Sequence, residues 1–164
     1  ETYFKIISSK TAELFSAATK VGAILGNKNN KIKDALGFYG KNLGITFQIA
    51  DDTLDYSSDF NLFGKKTGND FFEGKITLPI ILLSQKANVL EKKQIKEFFS
   101  KKNRDEKNFK IILDLIKKYN IINECYKKAE HYINLASNAL SILENSKEKK
   151  IFENLTSFSL ERSF

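Results

Sequence analysis

An all-α fold follows from three features of the sequence. Apolar residues recur at helical spacing along most of the chain, helix-stopping segments separate the periodic runs, and no stretch alternates apolar and polar residues as a half-buried strand would. The first run, residues 3–25, sets Ile6, Ile7, Lys10, Leu14, Ala17, Ala18, Val21 and Leu25 at helical intervals, and Gly26-Asn27-Lys28-Asn29-Asn30 ends it. A second run, residues 32–56, carries Ile32, Leu36, Tyr39, Leu43, Phe47, Ala50 and Leu54 on one face. At the standard helical rise it spans about 37 Å. Gly37, Gly40 and Gly44 lie inside it. Each costs a helix about 1 kcal/mol relative to alanine, so their spacing predicts close approach of a neighbouring helix or a ligand. Residues 57–74 are polar and glycine-bearing and read as a loop. Thr77 is placed to cap the next helix, with Pro79 in its first turn. Further helices are predicted near 91–101, 105–118, 120–143 and 147–158. In the 120–143 helix Ala129, Tyr132, Ile133, Ala136, Leu140 and Leu143 form the buried stripe.

Composition narrows the functional classes. The 164 residues suffice for one domain or part of one. The longest apolar run, Ile80-Ile81-Leu82-Leu83, falls far short of the roughly 20 residues a membrane span requires, and no secretory leader pattern is present. The single cysteine, Cys125, excludes an internal disulfide framework and fits a reducing, cytoplasmic setting. The net charge of +7 comes almost entirely from lysine, with arginine only at positions 104 and 162. Lysines scattered over polar helix faces are expected to be solvated, and no nucleic-acid partner is expected from charge alone. His131, the one histidine, is expected on the surface. Phe98, Phe99 and Phe109 have core spacing, whereas Phe71 and Phe72 fall on the predicted loop and could cover a ligand there. The chain has no methionine and opens within a helix-like run, as a processed or partial product would.

The chemistry concentrates at Phe47-Gln48-Ile49-Ala50-Asp51-Asp52-Thr53-Leu54-Asp55-Tyr56. Helical geometry puts Asp51, Asp52 and Asp55 within one arc. At about 5 Å and an effective dielectric near 20, each like-charge pair costs roughly 3 kcal/mol. A helix C-terminus adds a further unfavourable dipole contribution. An all-oxygen donor set suits Mg²⁺, which retains waters and takes phosphate oxygens from a substrate. Lys65 and Lys75 bracket the loop downstream, and Lys10 and Thr11 lie in the preceding helix. Lysine is a mobile point charge suited to phosphate oxygens, so metal plus lysines is equipment for binding a diphosphate as a leaving group. The Phe47 ring and the Gln48 amide, one turn before the aspartates, could face a developing cation.

Taken in order, Lys10-Thr11-Ala12, Tyr39-Gly40-Lys41-Asn42-Leu43-Gly44, Phe47 to Tyr56, Gly64-Lys65, Gly68, Asp70 and Glu73-Gly74-Lys75-Ile76-Thr77-Leu78-Pro79 resemble the C-terminal half of trans-isoprenyl diphosphate synthases, the polyprenyl synthetases. The Leu54-Asp55-Tyr56 ending and the segment through Pro79 look most like medium- and long-chain bacterial members of the octaprenyl type. The resemblance covers essentially residues 1–164. It implies a partial isoprenoid-synthase helical bundle and a prenyltransferase that joins isopentenyl diphosphate to an allylic diphosphate with Mg²⁺. It also implies that Asp51, Asp52 and Asp55 form the second aspartate-rich motif, holding Mg²⁺ against the allylic diphosphate. Lys10 and Lys65 would contact that diphosphate, and Thr11 and Gln48 would offer oxygen dipoles to the allylic cation. The family's first aspartate-rich motif and its upstream isopentenyl diphosphate residues have no counterpart here. Asn69 stands where an acid is common, and Arg162 matches a terminal arginine.

Two functional classes are therefore in competition. One is a prenyltransferase segment that does not turn over by itself and works as a homodimer or with a missing N-terminal half. The other is a non-catalytic subunit or decayed fragment that pairs with a complete or complementary synthase. A basic nucleic-acid binder is the remote third.

Overall fold

The computed structural model describes residues 1–57, 67–101 and 104–161, and among these no strand occurs. The helices are α1 (Thr2–Ile7), a π-helical segment (Ser8–Ala12), α2 (Glu13–Leu25), α3 (Asn30–Leu54), α4 (Asn69–Glu73), α5 (Leu78–Lys86), α6 (Val89–Ser100), α7 (Glu106–Lys118), α8 (Ile121–Ala139), a short 3₁₀ turn (Leu140–Ile142) and α9 (Lys147–Glu161). Among the described residues no helix is long and apolar enough to cross a membrane. Two compact units emerge, residues 1–50 with 127–164, and residues 51–126.

In the first unit, Ala23, Leu36, Tyr39, Leu43, Ile133, Ala136 and Leu140 form the core. Full burial of each larger aliphatic side chain stabilises by about 1.5–3 kcal/mol. The α3 glycines serve helix packing. A Cβ at Gly40 would lie 2.8 Å from the Phe15 carbonyl carbon, and one at Gly44 would lie 2.7 Å from Ala12 Cα. The Thr19 hydroxyl donates to the Leu36 carbonyl across this close approach at 2.6 Å. At the other side of α3, the Tyr39 hydroxyl donates to the Phe152 carbonyl at 2.9 Å and its ring stacks edge-on with Phe152, fastening α9.

The apolar stripe expected for residues 3–25 is corrected by the π-helical segment. That segment inserts an extra residue into the turn, so the buried positions run from Ile7 to Ala12, five apart, and then to Ala23. Extrapolation at 3.6 residues per turn misses this shift. Leu14, Val21 and Leu25 are exposed, Leu14 and Leu25 by 74% and 79%, and so is Ile6 ahead of the π-helical segment.

In the second unit, Leu78, Pro79, Ile80 and Leu83 of α5, Ile95 and Phe98 of α6, and Phe109, Ile112, Leu115 and Ile116 of α7 are buried. Residues 57–74 are not entirely loop. Helix α4 occupies part of the stretch, with Phe71 fully buried rather than covering a ligand. Phe71 packs edge-on to Phe72 and Phe99 and tilted against Phe109. Thr77 holds the N-cap position of α5 with Pro79 in the first turn, but its side chain makes no capping hydrogen bond. Asn88 and Glu91 form a reciprocal capping box on α6. Glu91 also accepts from Lys118 Nζ at 2.7 Å and from the Tyr119 hydroxyl at 2.6 Å, tying α6 to α7.

Candidate functional site

The second unit contains the aspartates. Asp51 is exposed and lies one helical turn before Asp55, whose amide donates to the Asp51 carbonyl at 3.3 Å. Asp55 is half-buried and grips the start of α4. Its Oδ1 accepts the Asn69 amide at 3.1 Å, its Oδ2 accepts the Asp70 amide at 2.8 Å, and its backbone carbonyl accepts the Gly68 amide at 2.9 Å. Gly68 must be glycine for this. Its φ is +90°, and a Cβ would come within 2.6 Å of the Phe109 ring. The clamp brings Asp70, 15 residues downstream, beside Asp55.

The Asp51 charge acts on Asp55, and the charges of Asp55 and Asp51 act on Asp70. Burial is the largest cause raising the Asp55 carboxyl above its ordinary range, with the three amide hydrogen bonds opposing it and the Asp51 charge adding to it. Burial likewise raises Asp70, followed by the charge of Asp55, with Asp51 contributing and Lys75 opposing. Lys75 Nζ lies 3.4 Å from Asp70 Oδ1 and 2.6 Å from Glu73 Oε2, and its amide donates to the Asp70 carbonyl at 2.8 Å.

Asp52 is the buried member of the aspartate trio. It is 5% exposed, and its charge acts on Tyr56 and Cys125 within the unit's interior. The 100° step from Asp51 is enough to turn it from the outer face of α3 to the inner one. Among the described residues no group of three or more His, Cys, Asp or Glu side chains is arranged to enclose a metal ion by itself. Mg²⁺ does not need such a cage, because one or two carboxylates serve it when substrate phosphates and waters complete the shell. Exposed Asp51 and half-buried Asp55 and Asp70, with Lys75 beside Asp70, fit that mode of binding.

In the first unit, Lys10 is exposed within the π-helical segment. The Thr11 hydroxyl donates to Gln48 Oε1 at 2.7 Å, which fixes the amide's orientation. Ala12, at the end of the same segment, approaches Gly44 closely, and π-helical turns are frequent at functional sites. Phe47 packs against Phe15 and lines an apolar recess of about 470 Å³ with Leu14, Ala18, Leu43 and Leu155. The recess can take hydrocarbon but offers no cation to a phosphate. Lys65 lies outside the described residues, as does Arg162. Gly68 and Asp70 belong to the ordered motif set, but their hydrogen bonds to Asp55 are seen only in the fold, since a 15-residue separation carries no periodic signal.

The polyprenyl synthetase family pattern matches residues 1–116. The chain is 33% identical over 162 residues to a short chain isoprenyl diphosphate synthase of Methanothermobacter thermautotrophicus, covering 99% of this chain and 49% of that protein. It is 31% identical over 162 residues to an octaprenyl diphosphate synthase of Haemophilus influenzae, with the same two coverages of 99% and 49%. It superposes with a TM-score of 0.91 on a polyprenyl synthase from Caulobacter crescentus, solved in complex with calcium and isoprenyl diphosphate, at 33% identity over 99% of this chain and 49% of that one. The chain spans about half the length of the relatives it matches.

Proposed function

The chain belongs to the polyprenyl synthetase family, and from that premise we propose that it is the part of a trans-prenyl diphosphate synthase that holds the allylic diphosphate. In the proposed reaction the allylic carbon–oxygen bond breaks, the electron pair leaves on the diphosphate, and the isopentenyl double bond adds to the allylic carbon with later loss of a proton. Asp51, Asp55 and Asp70 would hold Mg²⁺, which when bound neutralises the leaving diphosphate. Asp52, buried and acting through its charge on Cys125, would support the motif from the interior. Lys75, and Lys10 and Lys65 as the sequence suggests, would bind phosphate oxygens as point charges. Thr11 would orient Gln48 so that its carbonyl dipole favours the allylic positive charge.

The hold of Asp55 on the Asn69 and Asp70 amides, which sets Asp70 and its Lys75 partner beside the α3 aspartates, carries this reading. Calcium and isoprenyl diphosphate in the Caulobacter crescentus relative support it. The test is titration calorimetry of the chain with an allylic diphosphate in the presence and absence of Mg²⁺. Mg²⁺-dependent binding without chain elongation is expected. Binding indifferent to Mg²⁺ would refute the reading, and elongation by the chain alone would refute its incompleteness.

A second reading has its own observation. Leu14, Val21, Ile24, Leu25 and Phe38 expose apolar surface in the first unit, and relatives are about twice as long. Such surface suits a homodimer or a complementary synthase chain in an aqueous, cytoplasmic setting. Co-purification with a prenyltransferase partner supports this reading, and a monodisperse monomer that binds no such partner refutes it.

A further inference from the structure

Arg104 is the only arginine among the described residues, and it occupies a position no lysine could fill. Its Nη1 donates to the Phe72 carbonyl at 3.3 Å and its Nη2 to the Phe99 carbonyl at 2.9 Å. Those carbonyls belong to the last turns of α4 and α6, where main-chain acceptors lack helical partners and the helix dipole favours a cation. The guanidinium also lies over the Phe99 ring, 5.7 Å from its centroid. Its planar fork serves two acceptors and a ring face together, which an ammonium cannot do.

The guanidinium forms the floor of the Gly74 turn. Gly74 has φ +77°, and a Cβ there would fall 2.7 Å from Arg104 Cζ. That turn reverses the chain so that the Lys75 amide meets the Asp70 carbonyl at 2.8 Å and the Lys75 ammonium reaches Asp70 Oδ1 at 3.4 Å. We propose that Arg104 is a positioning residue which, through the Gly74 turn, holds Lys75 in register with Asp70 and thereby sets the site's affinity for diphosphate. This rests on the reading of Asp51, Asp55, Asp70 and Lys75 as a Mg²⁺–diphosphate site.

The test is a double-mutant cycle on the full chain, with inorganic diphosphate titrated calorimetrically in saturating Mg²⁺. Arg104→Gln is expected to weaken binding about 10-fold, the scale on which supporting residues act. Lys75→Gln is expected to weaken it similarly, and Arg104→Gln added to Lys75→Gln is expected to change nothing further. Arg104→Lys, the milder variant, should fold and still fail to restore affinity. Wild-type binding that Arg104→Gln or Arg104→Lys leaves unchanged overturns the inference alone, as does an effect fully additive with Lys75→Gln. A wild-type chain that binds no diphosphate with Mg²⁺ overturns the underlying reading and this inference with it.

Discussion

Replacing Gly40 by alanine tests whether α3 and the preceding helix are held at backbone contact. The new methyl would lie 2.8 Å from the Phe15 carbonyl carbon, and nearer still to the Phe15 oxygen and the Thr19 hydroxyl. Helix α2 would have to retreat by roughly 1 Å, an overpacking that costs up to about 3 kcal/mol. The 2.6 Å bond from Thr19 to the Leu36 carbonyl would open, losing about 1 kcal/mol. Alanine's higher helix propensity returns about 1 kcal/mol. The net expectation is a loss near 3 kcal/mol. Gly22 is the control, because a Cβ there meets nothing within 4 Å. Gly22→Ala should stabilise by up to about 1 kcal/mol. Urea unfolding followed by circular dichroism reads both, and with a slope near 2 kcal/mol/M the midpoints should move by about −1.5 M and about +0.5 M. Equal shifts, or a stabilised Gly40→Ala, would refute the packing account.

Other outcomes follow from the charges. Raised carboxyls at Asp55 and Asp70 mean that the folded chain holds protons there more tightly than the unfolded chain. Their stabilising share is therefore complete below the unfolded range and declines as pH rises through the folded one. In metal-free protein Asp70→Asn should flatten that decline in pH-dependent melting, while abolishing the gain in melting temperature from Mg²⁺ and diphosphate together. Glu91 runs the other way. Hydrogen bonds from Lys118 and Tyr119 hold its carboxyl down at about 2, so its contribution is lost as pH falls from the ordinary carboxylate range toward 2, and Glu91→Gln should remove that acid-side slope. Burial pushes the Cys125 thiol up to about 12, so a thiol reagent at pH near 8 should modify it only after denaturant is added. Rapid labelling of native protein would contradict its burial.

Much of this architecture was legible in the sequence because it is periodic. Helix α3 announced itself through Leu36, Tyr39, Leu43, Ala50 and Leu54, all buried, and its glycines marked the close approach that Phe15 and Ala12 supply. The π-helical segment was not legible. Ser8-Ser9-Lys10-Thr11-Ala12 has no composition that distinguishes it from an α-helical turn, and its extra residue moved the stripe that spacing assigned to α2. Helix α4 was hidden because five residues between left-handed glycines carry no periodic signal, although Phe71 proves to be core. The aspartate trio was legible as a cluster but not by role. Only the fold separates buried Asp52 from exposed Asp51, and only the Asp55 grip on the Asn69 and Asp70 amides shows that Asp70, already part of the ordered motif set, sits beside Asp55.

The most direct measurement of the central claim is the melting temperature of the chain across a Mg²⁺ titration, with and without inorganic diphosphate, for wild type and Asp51→Asn. A ligand present at about 100 times its dissociation constant stabilises by about 2.7 kcal/mol. For a chain of this size that corresponds to a rise of roughly 5–11 °C. The rise should require Mg²⁺ and diphosphate together and should collapse in Asp51→Asn. A diphosphate response that needs no divalent ion, or one that Asp51→Asn retains in full, would contradict the assignment of these carboxylates.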